Sequence, residues 1–157
     1  MEAVLSLNTE QNARARLHGT GHNVQPTTHP GPVDTELVLI RGLPGSGKST
    51  MARVLALVGY QHFEADQFFM QDGVYRFDGS RIREAHAWCQ DMTRKALLQG
   101  HRTVVSNTFT QLREMAPYQA MSRLVRVIEA QGHWGNVHGV PEETLQRMAG
   151  RWEPLLL

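Results

Sequence analysis

The run Gly42-Leu43-Pro44-Gly45-Ser46-Gly47-Lys48-Ser49, followed by Thr50, holds the side chains of this 157-residue sequence whose spacing most clearly specifies chemistry. It matches the Walker A pattern, Gly-x4-Gly-Lys-Ser, without a mismatch. Glycines allow a backbone to curl tightly and turn its N–H groups toward an anion. A helix starting near Lys48 adds the positive end of its dipole. Lys48 supplies a mobile cation for β- and γ-phosphates, and Ser49 presents a hydroxyl suited to Mg²⁺. Residues 42–50 are therefore expected to bind a nucleoside triphosphate, with Mg²⁺ as its companion ion.

A phosphate loop alone does not separate a kinase from a hydrolase or a switch. Asp66 bears on that choice, because a carboxylate just past a second strand can take the proton from an attacking hydroxyl; it can equally cap a following turn. No strand has the form of four apolar residues and then Asp. The run Val104-Val105-Ser106-Asn107-Thr108 instead offers Asn107 or Thr108 as a neutral oxygen ligand toward Mg²⁺, or simply as a strand end. Arg147 and Arg151, one helical turn apart, share a face and are candidates to reach the transferring phosphate. Glu84 and His86 are further candidates for facing an acceptor. Phe68, Phe69, Tyr75 and Phe77 make an aromatic loop able to anchor on the core or to stack on a base. His18, His22 and His29 lack a carboxylate or thiol to complete a metal ligand set.

These groups need elements to hold them. Residues 36–41 form an apolar run ended by Gly42, as in a buried parallel strand. Helical spacing follows over Lys48 to Leu57, with Met51, Leu55 and Val58 on one face. A second strand is expected over 61–64. A long helix, capped by Asp78 or Ser80, runs to Gln99 and stops at Gly100, with Ile82, Ala85, Cys89, Met92 and Ala96 inward. Further strands are expected over 102–106 and 124–130, with a short helix containing Pro117 over 111–121. Pro141 opens a last helix, with Glu142 and Glu143 in its first turn and Leu145, Met148 and Trp152 buried. Alternating strands and helices predict an α/β fold with a mostly parallel sheet in three layers. Ligands then sit at the carboxyl ends of the strands, where 131–141 reads as a lid.

Residues 1–34, rich in Asn, Thr, Gly, His and Pro, read as a flexible leader ahead of one domain over 35–157. The apolar fraction of 41% and charged fraction of 20% are those of a globular chain. Cys89 is the single cysteine, which excludes an intrachain disulfide and fits a reducing compartment. No apolar run spans a bilayer, and the N-terminus does not read as a secretory signal; a cytoplasmic protein is expected. Residues 37–157 carry 14 basic against 11 acidic side chains, a weak bias that permits a phosphate-rich partner.

Taken in order, Ile40 to Thr50, Ala65-Asp66-Gln67-Phe68-Phe69-Met70, Gly73 to Asp78, Glu84 to Cys89, Val105-Ser106-Asn107-Thr108 and Val137 to Pro141 resemble the P-loop kinase family of the 5′-polynucleotide kinases, over roughly residues 37–153. The likeness is to its small phage and bacterial branch, which includes 5-hydroxymethyluracil DNA kinases. It implies an adenylate-kinase-like core, Lys48 and Ser49 on phosphate and Mg²⁺, and Asp66 as the base. The 5′-end kinases carry an arginine just after the base, where Gln67, Phe68 and Phe69 stand here. They also carry an aspartate at Asn107 and a lid arginine in the region of Gly135 and Asn136. The expected function is thus ATP-dependent phosphorylation of a nucleic-acid hydroxyl, with 5-hydroxymethyluracil in phage DNA favoured and base modification against host nucleases as its purpose. A 5′-hydroxyl polynucleotide kinase, a small-molecule kinase and a non-catalytic ATP-binding switch are the alternatives.

Overall fold

The computed structural model describes residues 30–133 and 139–155. In chain order its elements are β1 (Leu37–Arg41), α1 (Lys48–Leu57), β2 (Gln61–Phe63), the short strands β3 (Met70–Gln71) and β4 (Val74–Tyr75), α2 (Ile82–Leu98), β5 (Thr103–Asn107), α3 (Ala116–Gln119), β6 (Val125–Glu129) and α4 (Glu142–Gly150). Four strands form a parallel sheet in the order β2-β5-β1-β6. All residues of β1 and β5 are buried, which is why both read as unbroken runs rather than alternating ones.

Register places the functional edge. Arg41 is level with Asn107 on one side and Glu129 on the other. The chain therefore leaves β1, β5 and β6 at one height, and Gly42, Thr108 and Ala130 begin three adjacent loops. Gly42 N–H donates to Thr108 O at 3.3 Å, and Ala130 N–H to Arg41 O at 2.8 Å.

The helices pack through smaller side chains than their apolar spacing suggests. On α1 the buried residue is Ala52, while Met51 and Val58 are 36% and 61% exposed. The helix is tethered to the phosphate loop at its first residue, which sets its rotation and brings Ala52 against Val38, Ile40 and Val104. On α2 the buried stripe is Ala85, Cys89, Thr93, Ala96 and Leu97, and Ile82 lies outside it. Thr93 is tolerated there because its hydroxyl donates to Cys89 O at 2.7 Å. The Asp78 side chain caps a short 3₁₀ turn, Gly79–Arg81, ahead of α2. Leu145, Met148 and Trp152 are only partly buried, and no residue of α4 is fully buried.

Two boundaries move. The compact unit begins at Gly31: Val33 exchanges backbone hydrogen bonds with Met121 and Arg123, and the Thr35 hydroxyl donates to Leu97 O. Residues 33 and 34 thus belong to the folded body rather than to a leader. The segment read as an aromatic loop carrying Phe68, Phe69, Tyr75 and Phe77 contains a 3₁₀ turn, Ala65–Phe69, and the β3–β4 hairpin. Asp72 and Gly73, with φ of 50° and 76°, are the Asp-Gly pair that a two-residue hairpin turn requires. His18, His22 and His29, with the rest of 1–29, and lid residues 134–138 lie outside the described residues. Among the described residues no helix is long and apolar enough to cross a membrane.

Candidate active site

The strand-to-helix turn after β1 is built as an anion cradle. Gly45 and Gly47 have φ of 82° and 91°, conformations that side chains with a Cβ rarely adopt. Gly42 is needed for space: a Cβ there would collide with Ser46 Oγ and come within 3.1 Å of Ala130 O. Ser46 Oγ is buried and has no hydrogen-bond partner among the described residues. Such an orphaned donor fits an oxygen-rich ligand in the loop. The loop is braced from β6, since Gly132 N–H donates to Ser46 O at 3.0 Å. Burial lowers the pKa of Lys48 from its ordinary value, with Glu64 and then Asp66 opposing that shift. A polyanion beside this partly desolvated ammonium would restore favourable charge pairing.

Glu64, which sequence reading passed over, faces the loop. Its Oε2 accepts from Ser49 Oγ at 3.2 Å and from Ser106 Oγ at 3.1 Å. Because the Ser106 hydroxyl donates to Glu64, it accepts from His62 Nε2 at 2.7 Å; that nitrogen therefore carries the proton. Burial pushes the His62 pKa down, against the pull of the nearby Glu64. The result is a chain of side chains from β2 through β5 to the helix residue expected to meet Mg²⁺. A hydroxyl and a carboxylate are hard oxygen donors, which suit that ion. The signal in the sequence was a second carboxylate, Glu64, two residues before Asp66 just past a short strand.

Asn107, at the end of β5, stands beside these groups. Its Oδ1 accepts from Ala65 N–H at 2.9 Å, and its amide nitrogen donates to Cys89 Sγ at 3.8 Å. It pins the turn that carries Glu64 and Asp66, and Glu64 is the carboxylate in contact with Ser49.

Two cavities flank the phosphate loop. One, of about 570 Å³, lies toward β2 and β5, and its wall includes Lys48, Ser49, Glu64, Asp66, Ser106 and Thr108. Phe69, Tyr75, Phe77 and His86 face it as well. The Tyr75 hydroxyl reaches Asp66 Oδ1 at 3.4 Å, and burial, then Asp66, raises its pKa. Phe69 is the buried hub of the aromatics, with Phe77 and Tyr75 at centroid distances of 5.1 and 6.4 Å, while Tyr75 and Phe77 remain 51% and 58% exposed. The loop thus both anchors on the core and shows open rings to the cavity. The second cavity, about 790 Å³, lies toward β6 and is walled by Leu43 to Ser46, the 129–133 segment and α4.

Helix α4 divides the two, with Thr144 and Met148 on the first and Leu145 and Ala149 on the second. Arg147 and Arg151 are exposed and, among the described residues, line neither cavity; Arg147 donates to Thr144 Oγ1 at 3.4 Å. Glu84 is held at the surface by Arg81, at 2.9 Å. Thr50 is exposed at the start of α1.

Comparison with known proteins agrees with this geometry. The family model AAA_33, described as an AAA domain, matches residues 37–134. Human NEDD4-binding protein 2 is 35% identical over 133 residues, covering 74% of this chain and 8% of that protein. The chain thus spans a small part of that relative. Among solved structures, the Pnkp1/Rnl/Hen1 complex gives a TM-score of 0.52 at 21% identity, covering 78% of this chain and 40% of that one. A gluconokinase from Sinorhizobium meliloti 1021 gives 0.54 at 18% identity, covering 78% and 77%. These likenesses establish a P-loop kinase fold with a mostly parallel sheet.

Proposed function

The chain belongs to this AAA domain family, AAA_33, and from that premise we propose that it is an ATP-dependent phosphotransferase acting on a hydroxyl carried by nucleic acid, with 5-hydroxymethyluracil in DNA as the favoured acceptor. One observation carries the reading. Lys48, Ser49 and Asp66 share a single cavity whose outer wall is aromatic. A phosphate-binding cation, a general-base candidate and a surface able to stack on a planar ring are thereby brought together. The Pnkp1/Rnl/Hen1 RNA repair complex among the structural neighbours is compatible with a nucleic-acid acceptor, and Gln67, Phe68 and Phe69 after the base favour a base-borne hydroxyl over a strand end.

In this mechanism the loop amides and Lys48 hold the β- and γ-phosphates. Asp66 takes the proton from the acceptor hydroxyl as its oxygen bonds to the γ-phosphorus and the bond to the β-phosphate oxygen breaks, leaving ADP. Tyr75 steadies the Asp66 carboxylate. Ser49 and Glu64 would hold Mg²⁺, which when bound supplies positive charge for the phosphate oxygens. Lys48 lines the cavity and supplies positive charge to the transferring phosphate; Arg147 and Arg151, expected from the sequence to do the same, line neither cavity among the described residues.

Glu64→Gln tests the metal assignment without an acceptor. Titrating Mg²⁺ against bound ADP by calorimetry should show Mg²⁺ affinity falling about 10- to 100-fold, with metal-free nucleotide binding unchanged. Equal Mg²⁺ affinity in both proteins would remove Glu64 from the ion.

The acceptor is tested with γ-labelled ATP and Mg²⁺ on 5-hydroxymethyluracil DNA, plain 5′-hydroxyl DNA and free nucleosides or sugars. Label on the first alone is the expected result. Label on plain ends or on small molecules would replace this acceptor with that one. ATP binding with no label on any would make the protein a nucleotide-operated switch.

A further inference from the structure

We propose that His62 is a positioning residue for the metal site: through Ser106 it fixes the Glu64 carboxylate against Ser49, ready for Mg²⁺. The inference rests on the reading of Ser49 and Glu64 as the Mg²⁺ holders and adds the group that keeps them in place. The sheet brings the side chains together. His62 is level with Val104 in the β2–β5 pairing, and side chains two residues apart along a strand share a face. Val104 clusters with Ala52 of α1, so Ser106, two residues on, also faces that helix. Glu64 continues β2 in extended backbone, with φ of −145° and ψ of 149°, and therefore stands on the same face as His62.

The hydrogen bonds run in one direction. A carboxylate only accepts, so the Ser106 hydroxyl gives its proton to Glu64 Oε2 at 3.1 Å, and its lone pair receives His62 Nε2–H at 2.7 Å. His62 Nε2 stands 3.9 Å from Glu64 Oε2, beyond hydrogen-bond distance, so the link runs through Ser106. Ser106 is buried, and a hydroxyl that accepts one bond while donating another is polarised, which strengthens its hold on the carboxylate. The same Oε2 accepts from Ser49 Oγ, and the Glu64 side chain also accepts from Gln67 N–H in a capping box. The Gln67 amide in turn donates to His62 O and accepts from Glu64 N–H, both at 3.3 Å, which ties the two ends of the relay through the backbone. Ser49, Glu64 and Ser106 line the Asp66 cavity, and among the described residues His62 does not, so His62 acts through its neighbours. A carboxylate held in advance loses little freedom when an ion arrives.

The experiment titrates Mg²⁺ against ADP-bound protein by calorimetry, with ADP affinity in the absence of metal as the measure of an intact phosphate loop. His62→Phe keeps an aromatic ring and removes the donor; Ser106→Ala removes the link. Each should lower Mg²⁺ affinity about 10-fold, the lower end of the span for groups that hold a metal ligand, with metal-free ADP affinity unchanged. The double variant should lose no more than either single one, because both cut the same chain. His62→Gln, whose amide can donate in place of Nε2, should keep wild-type Mg²⁺ affinity. A general loosening of β2 gives a different pattern: losses that multiply to about 100-fold in the double variant, or His62→Gln as weak as His62→Phe. Either result overturns the positioning role. So does unchanged Mg²⁺ affinity in Ser106→Ala, which removes one oxygen and decides the matter even where His62→Phe does not fold. Glu64→Gln separates the two readings. Weakened Mg²⁺ binding in Glu64→Gln with none in His62→Phe sinks the relay and spares the metal site; no weakening in Glu64→Gln overturns the metal site itself.

Discussion

Asp66→Asn should lower turnover about 10²- to 10⁴-fold while leaving ATP affinity nearly intact. The substitution keeps the size and planarity of the side chain and removes its capacity to take a proton. Among the described residues, the Asp66 side chain accepts from the Tyr75 hydroxyl and makes no hydrogen bond to the phosphate loop. Lost rate with retained affinity would therefore locate its action at the acceptor hydroxyl rather than at the nucleotide. Tyr75→Phe separates the base from its support. Removing that hydroxyl leaves a competent carboxylate with one fewer restraint, so its effect on turnover should be much smaller than that of Asp66→Asn. Single-turnover rates on the labelled acceptor decide the matter. Wild-type turnover in Asp66→Asn would withdraw the base assignment and return Asp66 to capping its turn.

The same two residues show where sequence reading succeeds and where it stops. The phosphate loop was legible because its chemistry is local: one strand, one turn and one helix start fix all its atoms, and β1 and α1 lie where the apolar run and the helical spacing put them. Asp66 was legible as a strand-end carboxylate for the same reason. Glu64 was not, because its importance comes from contacts with Ser49 and Ser106, residues 15 and 42 positions away. Asn107 has a second, long-range role that its place at a strand end does not announce: the sheet order sets β5 beside β2, and its oxygen accepts from the Ala65 amide. Helix faces were misjudged where small residues do the packing. Periodicity puts Met51 on the inner face of α1, yet Ala52 touches the core because a short side chain lets the helix approach the sheet; on α2, Ala85, Cys89 and Ala96 are buried as expected and Ile82 is not. The hairpin was written plainly in Asp72-Gly73, and its shortness, two residues a strand, hid it among the aromatics.

Lys48→Ala should bring transfer down by at least about 10²- to 10³-fold, the loss typical when one preorganised group facing developing charge is removed. Unlike Asp66→Asn, it should also weaken ATP binding, because the ammonium faces the bound phosphates in ground state and transition state alike. The environment argues for a larger effect than a surface lysine would give. Lys48 is partly buried within electrostatic reach of two carboxylates, Glu64 and Asp66, and its pKa is lowered by that burial. With the ammonium removed, those carboxylates would face the incoming phosphates without an intervening cation, and like charges at close range repel strongly in a desolvated site. Lys48→Arg should therefore fail to rescue. Its planar fork is longer and wider than an ammonium, and the site it must enter is already occupied by Ser49 and Glu64, held 3.2 Å apart. Adding Glu64→Gln to Lys48→Ala offers the sharper check. Removing one of the two uncompensated charges should recover part of the lost ATP affinity, measured by calorimetry without Mg²⁺, even though neither single substitution improves binding. A double variant that binds no better than Lys48→Ala would show that Lys48 acts on the phosphates alone and that its pairing with Glu64 carries no weight in the site.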